Sequence, residues 1–274
     1  MTEKCPMEGV LKLKYAIKMI VLDLDGTLLR SDKTISERTK ITLGQCRNIG
    51  IKVVYATVRG GSVDHVAPAE FFDGRITMAG AAARVGEEII YQRLIPWQVA
   101  RTVLVACAMR GLKTGAESGG VLYSNLDDFH YSVQFERVDF SKYDKDSEML
   151  FMILRNEEDT AFINMLLADS HDDLHMVISR DKEAMIMHKE ATKSRAVESL
   201  AKYWGIVPNE IVAFGDDLID VELLNFVGTG VAMENALDEV KFVSNCQCPS
   251  NDEDGVAQWL EEYILTQSRI STES

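Results

Sequence analysis

The sequence predicts an α/β protein, with a doubly wound parallel-sheet core and an inserted α/β segment that contains an antiparallel sheet. Three observations predict it. Short, almost wholly apolar runs, IKMIVL at 17–22 and IKVVYA at 51–56, suit parallel strands buried on both faces. A stretch of helical spacing separates them, and strand, helix, strand in that order implies a parallel pair with a right-handed crossover. The middle of the chain carries short alternating segments of the kind found in antiparallel sheets.

In chain order, the strand at 17–22 stops abruptly at Asp23-Leu24-Asp25-Gly26-Thr27. A helix over 36–49 follows, with Ser36 as its N-cap, and then the strand at 51–56. From about residue 84 to 187, strands are expected at 88–94, 120–124 and 130–136, separated by helices at 96–110 and 157–170. The Met-rich run 176–187 has Met185 and Met187 at strand spacing and leads the chain back to the core. A helix at 193–204, a strand at 210–214, a helix at 217–226 and a strand at 228–232 complete the sheet. The expected division is 1–82 and 188–274 for the core, with 83–187 inserted.

At 274 residues the chain suits two lobes, and its 46% apolar and 26% charged composition is that of a globular protein. The formal charge of -14 argues against nucleic acid and anionic membranes as partners. A small phosphorylated ligand needs only a few local cations or a bound metal. Residues 1–15 lack the apolar run of a signal peptide, and no stretch approaches the roughly 20 apolar residues of a spanning helix, so a cytoplasmic protein is expected. The five cysteines form no C-x-x-C pair, and Cys246 and Cys248 have no further ligand nearby. Reduced structural thiols are expected.

Ligands of open α/β sheets bind beyond the carboxyl ends of strands, where Asp23 and Asp25 sit. Gly26 permits a turn closed to other residues. Two neighbouring carboxylates repel, and a divalent cation relieves them. The competing reading is a solvated acidic turn. A second cluster, Asp216, Asp217 and Asp220, follows the strand at 210–214. Asp216 and Asp220 fall about one helical turn apart, and helix capping competes with metal binding there. Thr57 ends the second strand, where a hydroxyl and nearby amides can hold a phosphoryl oxygen. Arg59 follows it, and Lys193 opens the helix at 193–204.

VLDLDGTLLRSD (21–32), VVYATVRG (53–60), KSRAVESLAKYWGI (193–206), IVAFGDDLIDVELL (211–224), GVAMENALDEVK (230–241) and SNDEDGVAQWL (250–260) occur in that order. In them the sequence resembles the haloacid dehalogenase superfamily, specifically the Cof-type phosphatases with a Rossmann-like core and a large α/β cap. The resemblance implies a Mg²⁺-dependent phosphatase acting on a small phosphomonoester such as a sugar phosphate. Asp23 would be the nucleophile that forms an aspartyl-phosphate, and Asp25 the general acid and base. Thr57 and Lys193 would hold phosphoryl oxygens. Asp23, the backbone carbonyl of Asp25 and Asp216 would bind Mg²⁺, with Asp220 supporting it. Gly26, Arg59, Asp217 and Asn251 are further candidates for substrate contact or support of the site.

Three positions depart from the family pattern: Val58 and Ala79 stand where glycine and asparagine are usual, and Ile219 where asparagine is usual. They leave the principal site residues in place and point to altered recognition or rate. A phosphomutase of similar architecture and a metabolite-binding protein with an impaired site are the alternative readings. In the cap, Tyr123, Asn125, His130, Tyr131 and Phe135 are the first candidates for specificity, against a reading as strand surface and cap core.

Overall fold

The structure is a computed structural model that describes residues 15–61, 63–126, 134–170, 173–179 and 182–266. His130 and Tyr131 lie outside the described residues. The chain divides into two compact units, one of Met1–Val58, Val63–Tyr91 and Lys193–Ser274, the other of Arg59–Ser62 and Gln92–Thr192.

The first unit begins with β1 (Met19–Leu22), whose four side chains are all buried. Helix α1 (Glu37–Asn48) follows, and the Ser36 hydroxyl accepts the Thr39 N–H at 3.1 Å as its N-cap. Strand β2 (Lys52–Ala56) lies parallel to β1, and β3 (Gly74–Thr77) parallel to β2. The chain then turns back antiparallel in β4 (Ala82–Val85), followed by β5 (Glu88–Gln92) at the sheet edge.

That hairpin corrects the expected boundary at 82/83, because β4 and β5 stay in the core sheet. The strand expected at 88–94 is therefore a core edge strand. Pairing with β3 satisfies the backbone of β4, and Arg75 on β3 donates to the Gly86 carbonyl at 2.6 Å in the turn.

The second unit comprises α2 (Trp97–Met109), β6 (Thr114–Ser118), β7 (Val121–Ser124), β8 (Gln134–Arg137), β9 (Met149–Ile153), α3 (Glu157–Ser170), β10 (Leu174–Ile178) and β11 (Glu183–His188). Its sheet runs β10-β11-β9-β6-β7-β8. All neighbours are antiparallel except β7 and β8, which are parallel, so the expectation of an antiparallel sheet holds for most of it. Val103, Leu104 and Cys107 of α2 and Ile163 of α3 share a core with Ala116, Leu150 and Ile186 of the sheet. The Met-rich hairpin β10–β11 belongs to this sheet, and the unit runs to Thr192, which moves the second boundary from 187/188 to 192/193.

The first unit resumes with α4 (Lys193–Trp204), β12 (Ile211–Gly215), α5 (Val221–Phe226), β13 (Thr229–Met233), α6 (Asp238–Val243), β14 (Cys246–Cys248) and α7 (Gly255–Leu260). The full sheet order is β14-β13-β12-β1-β2-β3-β4-β5. The strands from β14 to β3 run parallel. Chain order runs one way from β1 to β3 and the other way from β12 to β14. The reversal between β1 and β12 is the topological switch point where such sheets bind ligands. Among the described residues no helix is long and apolar enough to cross a membrane. Cys46, Cys107, Cys246 and Cys248 are buried.

Candidate active site

Asp23 directly follows β1, and Asp216 directly follows β12. The Asp23 N–H donates to the Phe214 carbonyl at 3.1 Å, so the pairing of the two strands continues up to the first carboxylate. Gly26 adopts φ +86°. A Cβ there would collide with the Asp216 carboxylate. Glycine at this position therefore lets the two acidic loops approach each other. The Thr27 hydroxyl spans them directly and donates to Asp216 Oδ1 at 3.0 Å.

Lys193, the first residue of α4, is buried with its ammonium between two carboxylates. Nζ donates to Asp23 Oδ1 at 2.6 Å and to Asp220 Oδ1 at 2.7 Å. The other oxygen of Asp220 accepts the N–H groups of Asp216 and Asp217 at 3.1 and 3.2 Å. Asp220 thus fixes both the ammonium and the turn after β12. Asp23, Asp216 and Asp220, all buried, each offer a carboxylate oxygen within 4.8 Å of the others.

Burial pushes the Asp23 carboxyl well above the usual range. Lys193 opposes the shift, and Asp220 and Asp216 add to it. Burial works against the Lys193 ammonium too, but Asp220 and Asp23 outweigh it and hold its pKa above the ordinary value. Three carboxylates converge around one ammonium, so the cluster is short of positive charge.

Asp25 is more open, with its side chain 31% exposed, and its Oδ1 pairs with Lys33 Nζ at 2.8 Å. Thr57 is fully buried at the end of β2. Its N–H donates to the Ile76 carbonyl at 3.0 Å.

Other expected residues are placed differently. Asp217 Oδ1 accepts the Leu218 N–H at 2.6 Å, so this residue caps the turn before α5, as the competing reading had it. Asn251 donates to the Leu29 carbonyl at 2.8 Å, which ties it to the loop that follows Asp23 and Asp25. Arg59 falls in the second unit. Within that unit Tyr123 packs edge-on against Tyr143, with centroids 5.7 Å apart. Asn125 ties the Thr114 N–H to the Leu112 carbonyl, and Phe135 lies on β8. Of the three departures, Val58 is not among the left-handed residues and needs no glycine. Ala79 adopts φ +55°, a conformation that asparagine or glycine takes more readily. Ile219 is half-buried in the turn Leu218–Asp220.

Two contributors had no role assigned from the sequence. Thr27 lay inside the DLDGT motif, and its hydroxyl was the available signal. Asn235 lay inside GVAMENALDEVK; its amide donates to the Gly26 carbonyl at 2.7 Å.

A family model described as haloacid dehalogenase-like hydrolase matches residues 20–260. The chain belongs to this family. The 5-amino-6-(5-phospho-D-ribitylamino)uracil phosphatase YitU of Bacillus subtilis is 30% identical over 271 residues, covering 90% of this chain and 97% of the relative. A solved structure from Thermotoga maritima is 27% identical with a TM-score of 0.77, covering 89% of this chain and 97% of that one. A sugar phosphatase of subclass IIB shares the fold at 23% identity, with a TM-score of 0.77 and coverage of 90% and 98%. As a haloacid dehalogenase-like hydrolase with phosphatase relatives, the chain is a phosphatase whose second unit is inserted into a parallel-sheet core. Phosphotransferases of this superfamily generally use Mg²⁺.

Proposed function

We propose that the chain hydrolyses a small phosphomonoester, a sugar or polyol phosphate, through an aspartyl-phosphate on Asp23. The observation that carries this reading is the 2.6 Å bond from Lys193 Nζ to Asp23 Oδ1 inside the converging carboxylates. It holds one oxygen of Asp23 in place and leaves Oδ2 for attack on phosphorus. The substrate class follows from the relatives, one named for a ribityl phosphate and one for sugars.

The donor set suits Mg²⁺, because it consists of hard carboxylate oxygens in a buried cluster where three carboxylates meet a single ammonium. Asp23, Asp216 and the Asp25 carbonyl would hold the ion, and Asp220 would orient the cluster. When bound, it neutralises charge between an anionic nucleophile and an anionic substrate.

Asp23 Oδ2 forms a bond to phosphorus while the ester P–O bond breaks, and the Asp25 carboxyl gives its proton to the leaving oxygen. Water then attacks the phosphoryl group. Asp25 takes its proton, and the acyl-phosphate P–O bond breaks to return the Asp23 carboxylate and free phosphate. Lys193 and the Thr57 hydroxyl would donate to the phosphoryl oxygens where charge builds up.

The test is phosphate release from a panel of sugar and polyol phosphates, with and without Mg²⁺. Turnover that requires Mg²⁺ and vanishes in Asp23→Asn is expected. Turnover retained in that variant overturns the assignment of the nucleophile, and isomer formation without net phosphate release marks a mutase.

A further inference from the structure

The two acidic loops are carried by different strands, and the Thr27 hydroxyl spans them directly. A second tie runs through the turn after β13. The Leu237 N–H donates to the Asp216 carbonyl at 3.1 Å, and the Ala236 N–H closes the turn on the Met233 carbonyl at 3.0 Å. In the same turn Asn235 Nδ2 donates to the Gly26 carbonyl at 2.7 Å. Its Oδ1 accepts the Asn251 N–H at 3.2 Å, and Asn251 Nδ2 reaches the Leu29 carbonyl at 2.8 Å. One short turn therefore grips the Asp216 loop by a backbone amide and the Asp23–Asp25 loop by a side-chain amide.

We infer that Asn235 is a positioning residue that sets the spacing between the two halves of the metal site. Gly26 explains why such a residue is needed. A glycine at φ +86° has no side chain to limit its conformation, so the peptides around it are fixed by their hydrogen bonds, the Thr27 N–H to the Leu24 carbonyl at 3.3 Å and the shorter one from Asn235 to the Gly26 carbonyl. The 25–26 peptide carries the Asp25 carbonyl, and the 26–27 peptide carries the oxygen that Asn235 holds. Release of that oxygen lets the Asp25 carbonyl swing relative to Asp216. The inference rests on the Mg²⁺ reading of the site, in which the Asp25 carbonyl and Asp216 are both ligands. Groups that orient metal ligands typically change affinity about 10–100-fold when removed. Because the Asn235 side chain is exposed and water can compete, the lower end of that range is expected.

The test is calorimetric titration of MgCl₂ into the metal-stripped full chain, with the Mg²⁺-induced rise in Tm as a second readout. Asn235→Ala and Asn235→Ser are compared with Asp252→Ala. Asp252 binds the Ser31 N–H and hydroxyl at 2.8 and 2.6 Å in the adjoining loop and does not touch Gly26. The expected result is a Kd for Mg²⁺ about ten-fold weaker in both Asn235 variants, a smaller Mg²⁺-induced rise in Tm, and affinity within about twofold of wild type in Asp252→Ala. Asn235 variants that bind Mg²⁺ as the wild type does overturn the inference alone, as does an equal loss in Asp252→Ala. A wild-type chain that binds no Mg²⁺ overturns the metal reading as well.

Discussion

Asp23 in the core and Glu117 in the inserted unit are both buried carboxylates whose pKa burial raises. Asp23 has an ammonium at 2.6 Å. Glu117 Oε2 has no hydrogen-bond partner, and the nearby charges that matter most, Glu148 and Glu183, have the same sign. A third case, Asp159, is buried in the inserted unit between Arg155 at 2.9 Å and Arg110 at 3.0 Å, and its hydrogen bond from Arg155 leads in holding it far below the usual carboxylate range. Burial is common to all three, so burial alone does not single out Asp23. What distinguishes Asp23 is a cation fixed beside it and two further carboxylates converging on the same point. A buried charge without such partners is a cost to stability.

The largest effects separate activity from stability at the core cluster. Asp23→Asn is expected to lower turnover at least about a thousandfold, because the proposed covalent step loses its nucleophile. It should not lower Tm in the absence of Mg²⁺, since it removes one of three converging negative charges. Lys193→Met should lower both, destabilising the fold by roughly 3–5 kcal/mol, because Asp23 and Asp220 are then left buried without their ammonium. Phosphate release and thermal unfolding on the same preparations check the pair. A large drop in Tm for Asp23→Asn would show that the carboxylate is a net structural asset and would erase its contrast with Glu117.

The same contrast explains what was legible in the sequence. β1 and β2 could be read because strands buried on both faces leave nearly continuous apolar runs, and Asp23, Asp216 and Lys193 because they stand where such elements begin or end. Asp217 and Asp220 were harder. Three positions apart in one acidic stretch, they diverge because a turn of 3-10 helix sends Asp220 inward to Lys193 and leaves Asp217 to cap. The hairpin β4–β5 could not be told from an insertion strand, since alternation in sequence does not say which sheet a strand joins. Glu117 carried no signal at all. It sits next along β6 from Ala116, which faces the helices, and alternation alone sends its side chain to the other face of the sheet.

Glu117→Gln sharpens the comparison from the other side. Burial, with help from Glu148 and Glu183, pushes the Glu117 carboxyl up to about 7 from its ordinary value of 4.5. The folded state therefore holds this proton more tightly than the unfolded state. Stability from this group is fully present below about pH 4.5 and is lost as pH rises to about 7. The amide variant removes that loss, so Tm should rise at pH 8 and stay unchanged near pH 4. At about 1.4 kcal/mol per unit, the gain is at most roughly 3–4 kcal/mol. Unfolding scans at the two pH values check it, and a gain that does not depend on pH would mean that ionisation is not the cause.

The smallest expected effect carries the comparison from charge to backbone. Ala79 in the core and Lys182 in the β10–β11 turn are both non-glycine residues in the left-handed region, at φ +55° and +60°. Each carries a strain of about 1–2 kcal/mol, which glycine relieves while adding about 0.5–1 kcal/mol of unfolded-state entropy. Ala79→Gly and Lys182→Gly should therefore each raise stability by less than about 1 kcal/mol, a shift in Tm of a few degrees at most. Their effects on turnover should differ. The Ala79 N–H donates to the Thr57 carbonyl at 2.9 Å, so loosening residue 79 reaches the proposed phosphate-binding end of β2. Lys182 instead closes a hairpin turn onto the Ser179 carbonyl. A change in kcat/KM of about twofold is expected for Ala79→Gly and none for Lys182→Gly, measured on one substrate at saturating Mg²⁺. Equal kinetics in the two variants would mean that the strain at Ala79, unlike the charge at Asp23, has no connection to the site it adjoins.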